Sequence, residues 1–186
     1  MTGRSTEGAL LLCLDMQPPF LQAVAGGPAL LRRCQFAVAA ARGLGVAVAF
    51  TEQVPDKLGG TDPSLLALAG GTRAQAKDAF SALAPGSACR EALTGNRHLE
   101  HLILCGLETP ICVFQTAIDA IKGGLAVTVL SDCVGARRPA DAAACLEALA
   151  RAEANVLPAE TVFYSILGGA SHPYFREFSR LVKSHA

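Results

Sequence analysis

Four short and almost unbroken runs of apolar residues constrain the fold of this chain most. Runs of this length are too short to span a membrane and are typical of strands buried on both faces of a parallel sheet. Ala- and Leu-rich segments between them predict helices, the longest from Pro28 to about Arg42. We therefore predict an α/β fold, a three-layer α/β/α sandwich around a doubly wound, mainly parallel sheet. The runs are ALLLCL at 9–14, VAVAF at 46–50, HLILC at 101–105 and LAVTVL at 125–130.

Length and charge narrow the organisation and the partners. The chain has 186 residues, 51% of them hydrophobic, which is enough for the core of a single domain over residues 1–186. Lys plus Arg and Asp plus Glu number 16 each, so the net charge is zero. Because there is no basic stripe or acidic tail, we expect a small-molecule partner and neither nucleic acid nor membrane.

The cysteines indicate a reducing compartment. There are seven, none in a CxxC pair, and several lie inside apolar runs. An odd number without paired spacing is not typical of a secreted disulfide scaffold. No targeting segment is visible at the N-terminus, so we expect a cytoplasmic protein.

The stretch from Gly106 to Ala117 has the pattern of a strand, a sharp turn and a helix that carries a cysteine in its first turn. Thr109 is the natural N-cap and Pro110 suits the first helical position, which makes Cys112 the third helical residue. The positive end of a helix dipole favours a thiolate, so we expect the pKa of Cys112 to be lowered. Cys112 also falls on the polar arc of this helix, whereas a structural cysteine is expected on the apolar side.

Acidic residues follow two of the predicted strands. Asp15 comes directly after the first, and the run at 125–130 leads into Ser131 and Asp132. Ligands of open α/β sheets bind outside the carboxyl ends of the strands, so Asp15 is a candidate site residue. Pro18 and Pro19 predict a loop. A lysine such as Lys77 is by itself most simply a solvated surface residue.

Three segments together resemble the isochorismatase-like cysteine hydrolases, in particular the branch of isochorismatase domain-containing proteins. The order and spacing of these segments agree with the family, and TEQVPDKLGGT at 51–61 and HPYFREFSRLVK at 172–183 extend the similarity along nearly the whole chain. The three segments are LDMQPPF at 14–20, KDAFSAL at 77–83 and GLETPICVFQTAIDA at 106–120.

The resemblance implies a catalytic triad of Asp15, Lys77 and Cys112. Asp15 would be the general base, Lys77 the electrostatic partner and Cys112 the nucleophile that forms a thioester. Backbone amides of Glu108 and Cys112 would form the oxyanion hole, with a cis peptide at Leu107–Glu108. Self-association into a homo-oligomer is also implied. Candidates to line the substrate pocket are Gln17, Phe20, Thr51, Gln53, Phe80 and Thr109.

Two departures from the family limit the reaction. Nicotinamidases of the family bind a metal through an Asp and histidines after the second strand, but residues 51–77 contain no histidine. We therefore expect no catalytic metal and no cofactor, and regard nicotinamide as a poor candidate substrate. Isochorismatases proper lack the nucleophilic cysteine, so Cys112 argues against cleavage of an enol ether.

Three hypotheses of function follow. The first is a hydrolase of a small amide or related C–N bond that acts through a thioester on Cys112. The second is a ligand-binding or oligomerising module with little turnover, which a pocket plugged by Phe20 or Phe80 would favour. The third is redox sensing by Cys112 with Cys105 or Cys133 as the resolving thiol.

Overall fold

One parallel β-sheet forms the centre of the molecule. The computed structural model describes residues 6–95 and 98–185. Within them, six strands pair in the order β3-β2-β1-β4-β5-β6, all parallel. The predicted domain spans residues 1–186, and a few of its residues lie outside the described ranges, namely 1–5, 96–97 and 186. The strands are β1 Ala9–Leu14, β2 Ala47–Gln53, β3 Gln75–Lys77, β4 His101–Gly106, β5 Ala126–Val134 and β6 Asn155–Leu157.

Helices cover both faces of the sheet, which confirms the predicted three-layer α/β/α fold. Residues of α2, α4, α8 and α9 pack against one face, and residues of α5, α6 and α7 against the other. None of the helices in the described ranges is both long enough and apolar enough to cross a membrane. The helices are α1 Pro18–Ala23, α2 Gly27–Gly43, α3 Pro55–Leu58, α4 Pro63–Leu68, α5 Ala88–Thr94, α6 Phe114–Lys122, α7 Pro139–Arg151, α8 Ala159–Leu167 and α9 Phe175–Ser184, with a π-helical turn at Thr109–Val113 before α6.

Alternation along β1 shows why its sequence has no polar residue. Leu11 and Cys13 face the layer of α2, while Leu10, Leu12 and Leu14 face the layer of α6. All five are buried. Since successive side chains of a strand point to opposite faces, a strand covered on both sides must be apolar throughout.

The strand order places a switch point between β1 and β4. From β1 the chain winds outward through β2 and β3, and from β4 it winds the other way through β5 and β6. The crossovers therefore leave a crevice outside the carboxyl ends of β1 and β4. Ligands of doubly wound folds bind in such a crevice.

Some local predictions were wrong. Pro18 and Pro19 start helix α1 instead of a loop, because proline is tolerated at the first positions of a helix. The fourth predicted strand does not stop before Asp132 but continues to Val134. Strand β3, which ends at Lys77, was not predicted.

Candidate active site

Three chain segments converge at the switch point. Asp15 directly follows β1, Lys77 is the last residue of β3, and Cys112 lies in the π-helical turn after β4. Parallel strands end at the same edge of a sheet, which brings these distant positions together. All three side chains are buried.

Asp15 is held in place by backbone and side-chain contacts. Its φ of 50° lies in the left-handed region, which aspartate tolerates better than most residues. Its Oδ1 accepts a hydrogen bond of 2.7 Å from the Thr51 hydroxyl. Thr51 lies in β2, where it is paired with Leu14 of β1. Asp15 Oδ2 forms an ion pair of 2.7 Å with Lys77 Nζ and receives no hydrogen bond of normal geometry from the described residues. Oδ2 is thus the oxygen open to a further proton.

Lys77 is a buried ammonium, not the surface residue that its sequence position alone would indicate. Only 6% of the surface of Lys77 is exposed. Besides Asp15, Nζ contacts Gln53 Oε1 at 2.5 Å and Cys112 Sγ at 3.6 Å. It also donates to the carbonyl oxygens of Ala79 and Phe80, at 3.3 and 3.2 Å. A charge removed from water needs such partners, and Lys77 has them on several sides.

The turn that carries Cys112 differs from the prediction. Glu108, not Thr109, is the N-cap, and it makes no side-chain capping bond. The Thr109 hydroxyl instead donates to the Gly135 carbonyl at 3.0 Å. The cis peptide predicted at Leu107–Glu108 is present.

The expected lowering of the Cys112 pKa is wrong. Burial raises the pKa of this thiol to about 12, and the negative charge of Asp15 acts in the same direction. The Lys77 ammonium opposes both effects without overcoming them. In the free protein Cys112 is therefore a protonated thiol beside a paired carboxylate and ammonium.

A small cavity of about 70 Å³ opens onto Cys112. Of the six predicted pocket residues, Phe20, Gln53 and Phe80 line it. Gln17, Thr51 and Thr109 do not line it. Their side chains are hydrogen-bonded to Gln53 and Gly59, to Asp15 and to Gly135, respectively. A role for these three residues toward a substrate stays a prediction.

Three residues of the cysteine turn also line this cavity, and sequence reasoning did not name their side chains. They are Leu107, Glu108 and Ile111. All three belong to the GLETPIC segment, so the prediction that this segment turns around Cys112 could have identified them. The Glu108 carboxylate is not free, since both of its oxygens lie 3.1 Å from Arg137 Nε.

A larger cavity of about 310 Å³ lies at the opposite edge of the sheet. It is lined by the first residues of β1 and β4, Ala9 and His101, together with residues that include Thr128 and Ser165. Burial lowers the pKa of His101, which lies 2.9 Å from the Thr128 hydroxyl. Its described lining residues include no cysteine, carboxylate or lysine, so it lacks the acid, amine and thiol that meet at Cys112.

Potential metal ligands cluster away from the Cys112 cavity. In residues 6–95 and 98–185, one group of three or more Cys, His, Asp or Glu side chains has its ligand atoms within 4.8 Å of each other: Cys13, Cys34 and Cys105. These thiols are packed in the core on the α2 face. Cys105 and Cys133, the resolving thiols of the redox hypothesis, also belong to that core and do not line the cavity.

The fold and the site define a doubly wound α/β protein with a buried acid, amine and thiol at its switch point. The isochorismatase domain matches residues 9–161 of the chain. The chain is 34% identical over 185 residues to isochorismatase domain-containing protein 2 of Pongo abelii, covering 99% of this chain and 88% of that protein. The chain therefore belongs to the isochorismatase family.

Solved structures share the same architecture. The MAR1 ribonuclease of Caenorhabditis elegans is 28% identical with a TM-score of 0.88, over 98% of this chain and 93% of that one. The YcaC protein of Escherichia coli, described as an octameric hydrolase of unknown specificity, is 17% identical. Its TM-score is 0.81, over 100% of this chain and 97% of that one. These likenesses agree with the sheet order and layers described above.

Proposed function

We propose that this protein is a cysteine hydrolase that cleaves a small neutral amide, or a related C–N bond, through a thioester on Cys112. The family supports a hydrolase, and one geometric observation carries the mechanism. Lys77 Nζ lies 2.7 Å from Asp15 Oδ2 and 3.6 Å from Cys112 Sγ, beside a cavity and away from solvent. A nucleophile, a base and a fixed positive charge thus share one buried site.

The first half of the reaction forms the thioester. Because the pKa of the Cys112 thiol is raised, the proton leaves only as sulfur attacks the carbonyl carbon, and Asp15 Oδ2 accepts it. The new C–S bond converts the carbonyl to a tetrahedral oxyanion. When the C–N bond breaks, Asp15 returns this proton to the leaving nitrogen, which departs as ammonia or an amine. Lys77 stays protonated and balances the negative charge that passes between sulfur and carboxylate.

The second half hydrolyses the thioester. Asp15, again ionised, takes a proton from a water molecule as its oxygen attacks the thioester carbon. The C–S bond then breaks and the sulfur regains a proton from Asp15. The carboxylic acid leaves and the thiol form of Cys112 is restored.

The oxyanion would be bound by the backbone N–H groups of Glu108 and Cys112. Both residues line the cavity. Among the described residues, no backbone acceptor is hydrogen-bonded to the Glu108 N–H, which supports a role toward the substrate. Backbone donors fixed where charge develops are the usual means of stabilising such an intermediate.

The cavity supports a small and uncharged substrate. Its volume of about 70 Å³ is several times the roughly 10–15 Å³ that a cavity needs to hold one water molecule. Phe20, Phe80 and Ile111 give it apolar walls, and its other carboxylate, Glu108, is paired with Arg137. An amide group with a short apolar substituent fits these walls. A longer substituent would leave the cavity past Phe80, which is 54% exposed.

The same features favour a small molecule over RNA, although the MAR1 neighbour is named a ribonuclease. The net charge is zero, and the charged residues that line the cavity are Asp15 and Glu108. Nucleic-acid binding depends mainly on cationic contacts to phosphate. The Lys77 ammonium forms an ion pair with Asp15, the carboxylate that a metal ion at this site would need as a ligand. This pairing supports a reaction without a metal.

We also propose that the protein is a cytoplasmic homo-oligomer. The cysteines are free thiols, as expected in a reducing compartment. The YcaC neighbour is described as octameric, and Leu68, Leu157 and Tyr164 are large apolar side chains that are exposed in the single chain. Sedimentation velocity tests the assembly: a single species with the mass of one chain would refute it.

A module with little turnover is the second candidate. The small volume of the cavity, narrowed by Phe20 and Phe80, favours it. The two candidates differ in what Cys112 does. A ligand-binding module would keep its ligand affinity without the sulfur and would release no ammonia.

A screen of short aliphatic and aromatic primary amides tests the proposal. The wild-type protein is expected to release ammonia from at least one of them. The variants C112A, D15N and K77M are each expected to lose at least about a thousandfold in kcat/KM, as for members of a catalytic unit. C145A, which removes a thiol outside the site, is the matched control and is expected to keep wild-type activity. Release of ammonia by C112A at the wild-type rate would overturn the mechanism.

A further inference from the structure

Gln53 holds a position that the mechanism above does not use. It is the last residue of β2 and the register partner of Lys77, the last residue of β3. Partners on adjacent strands have their side chains next to each other. Gln53 Oε1 accepts a hydrogen bond of 2.5 Å from Lys77 Nζ.

The Gln53 amide is fixed in one orientation. Its Nε2 donates to the Asp78 carbonyl at 2.7 Å, while its Oε1 faces the ammonium. A flipped amide would point N–H groups at an ammonium that has no acceptor to offer. Both ends of the amide are therefore committed, and Gln53 cannot turn toward a substrate without releasing Lys77.

A second glutamine holds the backbone of Gln53. Gln17 Oε1 accepts from the Gln53 N–H at 2.8 Å, and Gln17 Nε2 donates to the Gln53 carbonyl at 3.1 Å. The same Nε2 lies 2.6 Å from the Gly59 carbonyl. The loop after β1 thereby fixes the end of β2, and the end of β2 fixes the ammonium.

Counting protons shows why an anchor matters. An ammonium has three N–H groups, but Lys77 Nζ has five acceptors within reach. Asp15 and Gln53 are the two nearest, the carbonyls of Ala79 and Phe80 follow, and Cys112 Sγ is the farthest. Asp15 Oδ2 is held by the ion pair without a hydrogen bond of normal geometry, so the three protons are shared among Gln53, the two carbonyls and the sulfur. Small displacements of Nζ therefore decide how well the ammonium stabilises negative charge on sulfur.

We propose that Gln53 is a positioning residue that fixes the Lys77 ammonium between the Asp15 carboxylate and the Cys112 sulfur. The inference rests on the proposed function, because stabilising the sulfur matters only where Cys112 loses its proton. Gln53 acts through Lys77 and does not contact the reacting bond. Its loss leaves the ammonium free to move toward the carbonyls, away from the sulfur.

The test measures the rate of alkylation of Cys112 by iodoacetamide as a function of pH, read by mass spectrometry from the peptide that contains it. Only the thiolate reacts, so the rate at fixed pH reports how well thiolate is stabilised. In Q53M, which keeps the length of the side chain and removes the acceptor, the rate is expected to fall about tenfold, equivalent to about one unit of thiol pKa. Q35M is the matched control, because it removes a side-chain bond from Gln35 to Ser64, outside the cavity. It is expected to leave the Cys112 profile unchanged.

A double variant separates positioning from general structural support. If Gln53 acts only through Lys77, then Q53M adds no further loss in a K77M background. An equal loss in both backgrounds would overturn the proposal, and so would an unchanged profile in Q53M. A profile shifted to lower pH would also contradict it, since Gln53 would then be competing with the sulfur for the ammonium.

A second substitution keeps the proposal testable if Q53M does not fold. Q53E retains an oxygen for Lys77 but adds a negative charge near the sulfur, so its profile is expected at higher pH than wild type. An unchanged profile in Q53E would overturn the proposal. Alkylation needs no substrate, so this test is independent of the amide screen. If Q53M and Q53E shift the alkylation profile as expected but no amide is hydrolysed, the proposed function is refuted and the role of Gln53 remains.

Discussion

At the scale of single residues, the protonation of Cys112 is the property that decides how the site works. Its position near a helix start favours a thiolate, but burial and the charge of Asp15 outweigh that effect and raise its pKa. Sequence alone could not show this, because the opposing groups lie on segments far away in the chain. In the proposed mechanism, proton transfer to Asp15 therefore accompanies attack.

This gives a pH dependence with a definite sign. Because the thiol pKa is about 12, thiolate is a small fraction at neutral pH and increases with pH. Alkylation of Cys112 in the free protein is expected to rise about tenfold per pH unit from pH 7 to pH 10. Cys145, which is more exposed, is expected to react faster than Cys112 at pH 7. Peptide mass spectrometry measures both, and a Cys112 rate that levels off below pH 8 would contradict the raised pKa.

At the scale of elements, the long apolar strands could be predicted and the short polar strand β3 could not. β1 and β4 were recognisable because burial on both faces demands apolar residues at every position. β3 has three residues, Gln75, Ala76 and Lys77, and its pairing with β2 depends on the rest of the sheet. For Lys77, the signal came only from the resemblance to a family. The hydrogen bonds of Gln17, Thr51 and Thr109 also required the folded chain.

Gly106 links the geometry of two strands to the site. It pairs with Leu14, and its φ is 106°, which disfavours any other residue. A Cβ at this position would clash with the Leu14 carbonyl oxygen, directly before Asp15. The close approach of β1 and β4 at the switch point therefore requires a glycine.

The variant G106A is expected to lower the free energy of unfolding by more than about 4 kcal/mol or to prevent folding, because a backbone clash cannot relax cheaply. G124A is the matched control: Gly124 also has a positive φ, of 81°, but no described atom lies near enough to clash. It is expected to cost about 1–2 kcal/mol. Denaturant unfolding measures both, and equal costs would show that the contact with Leu14 does not matter.

At the scale of the whole molecule, topology brings the site together. The reversal of strand order between β1 and β4 makes a crevice, and three separate segments supply an acid, an amine and a thiol to it. The fold class could be predicted from apolar patterning. Asp15 and Cys112 were candidates from the strand end and the cysteine turn, whereas Lys77 came from the family resemblance alone. The size of the cavity could not, because it depends on how Phe20 and Phe80 pack over the crevice.

In the proposed mechanism, the substrate becomes covalently attached to Cys112 during turnover. Intact-mass spectrometry of protein quenched in acid during reaction with a hydrolysed amide tests it directly. The expected result is a mass gain equal to the acyl group, located on the peptide containing Cys112 and missing from C112A. An acyl group on a different residue, or turnover by C112A at the wild-type rate, would contradict it.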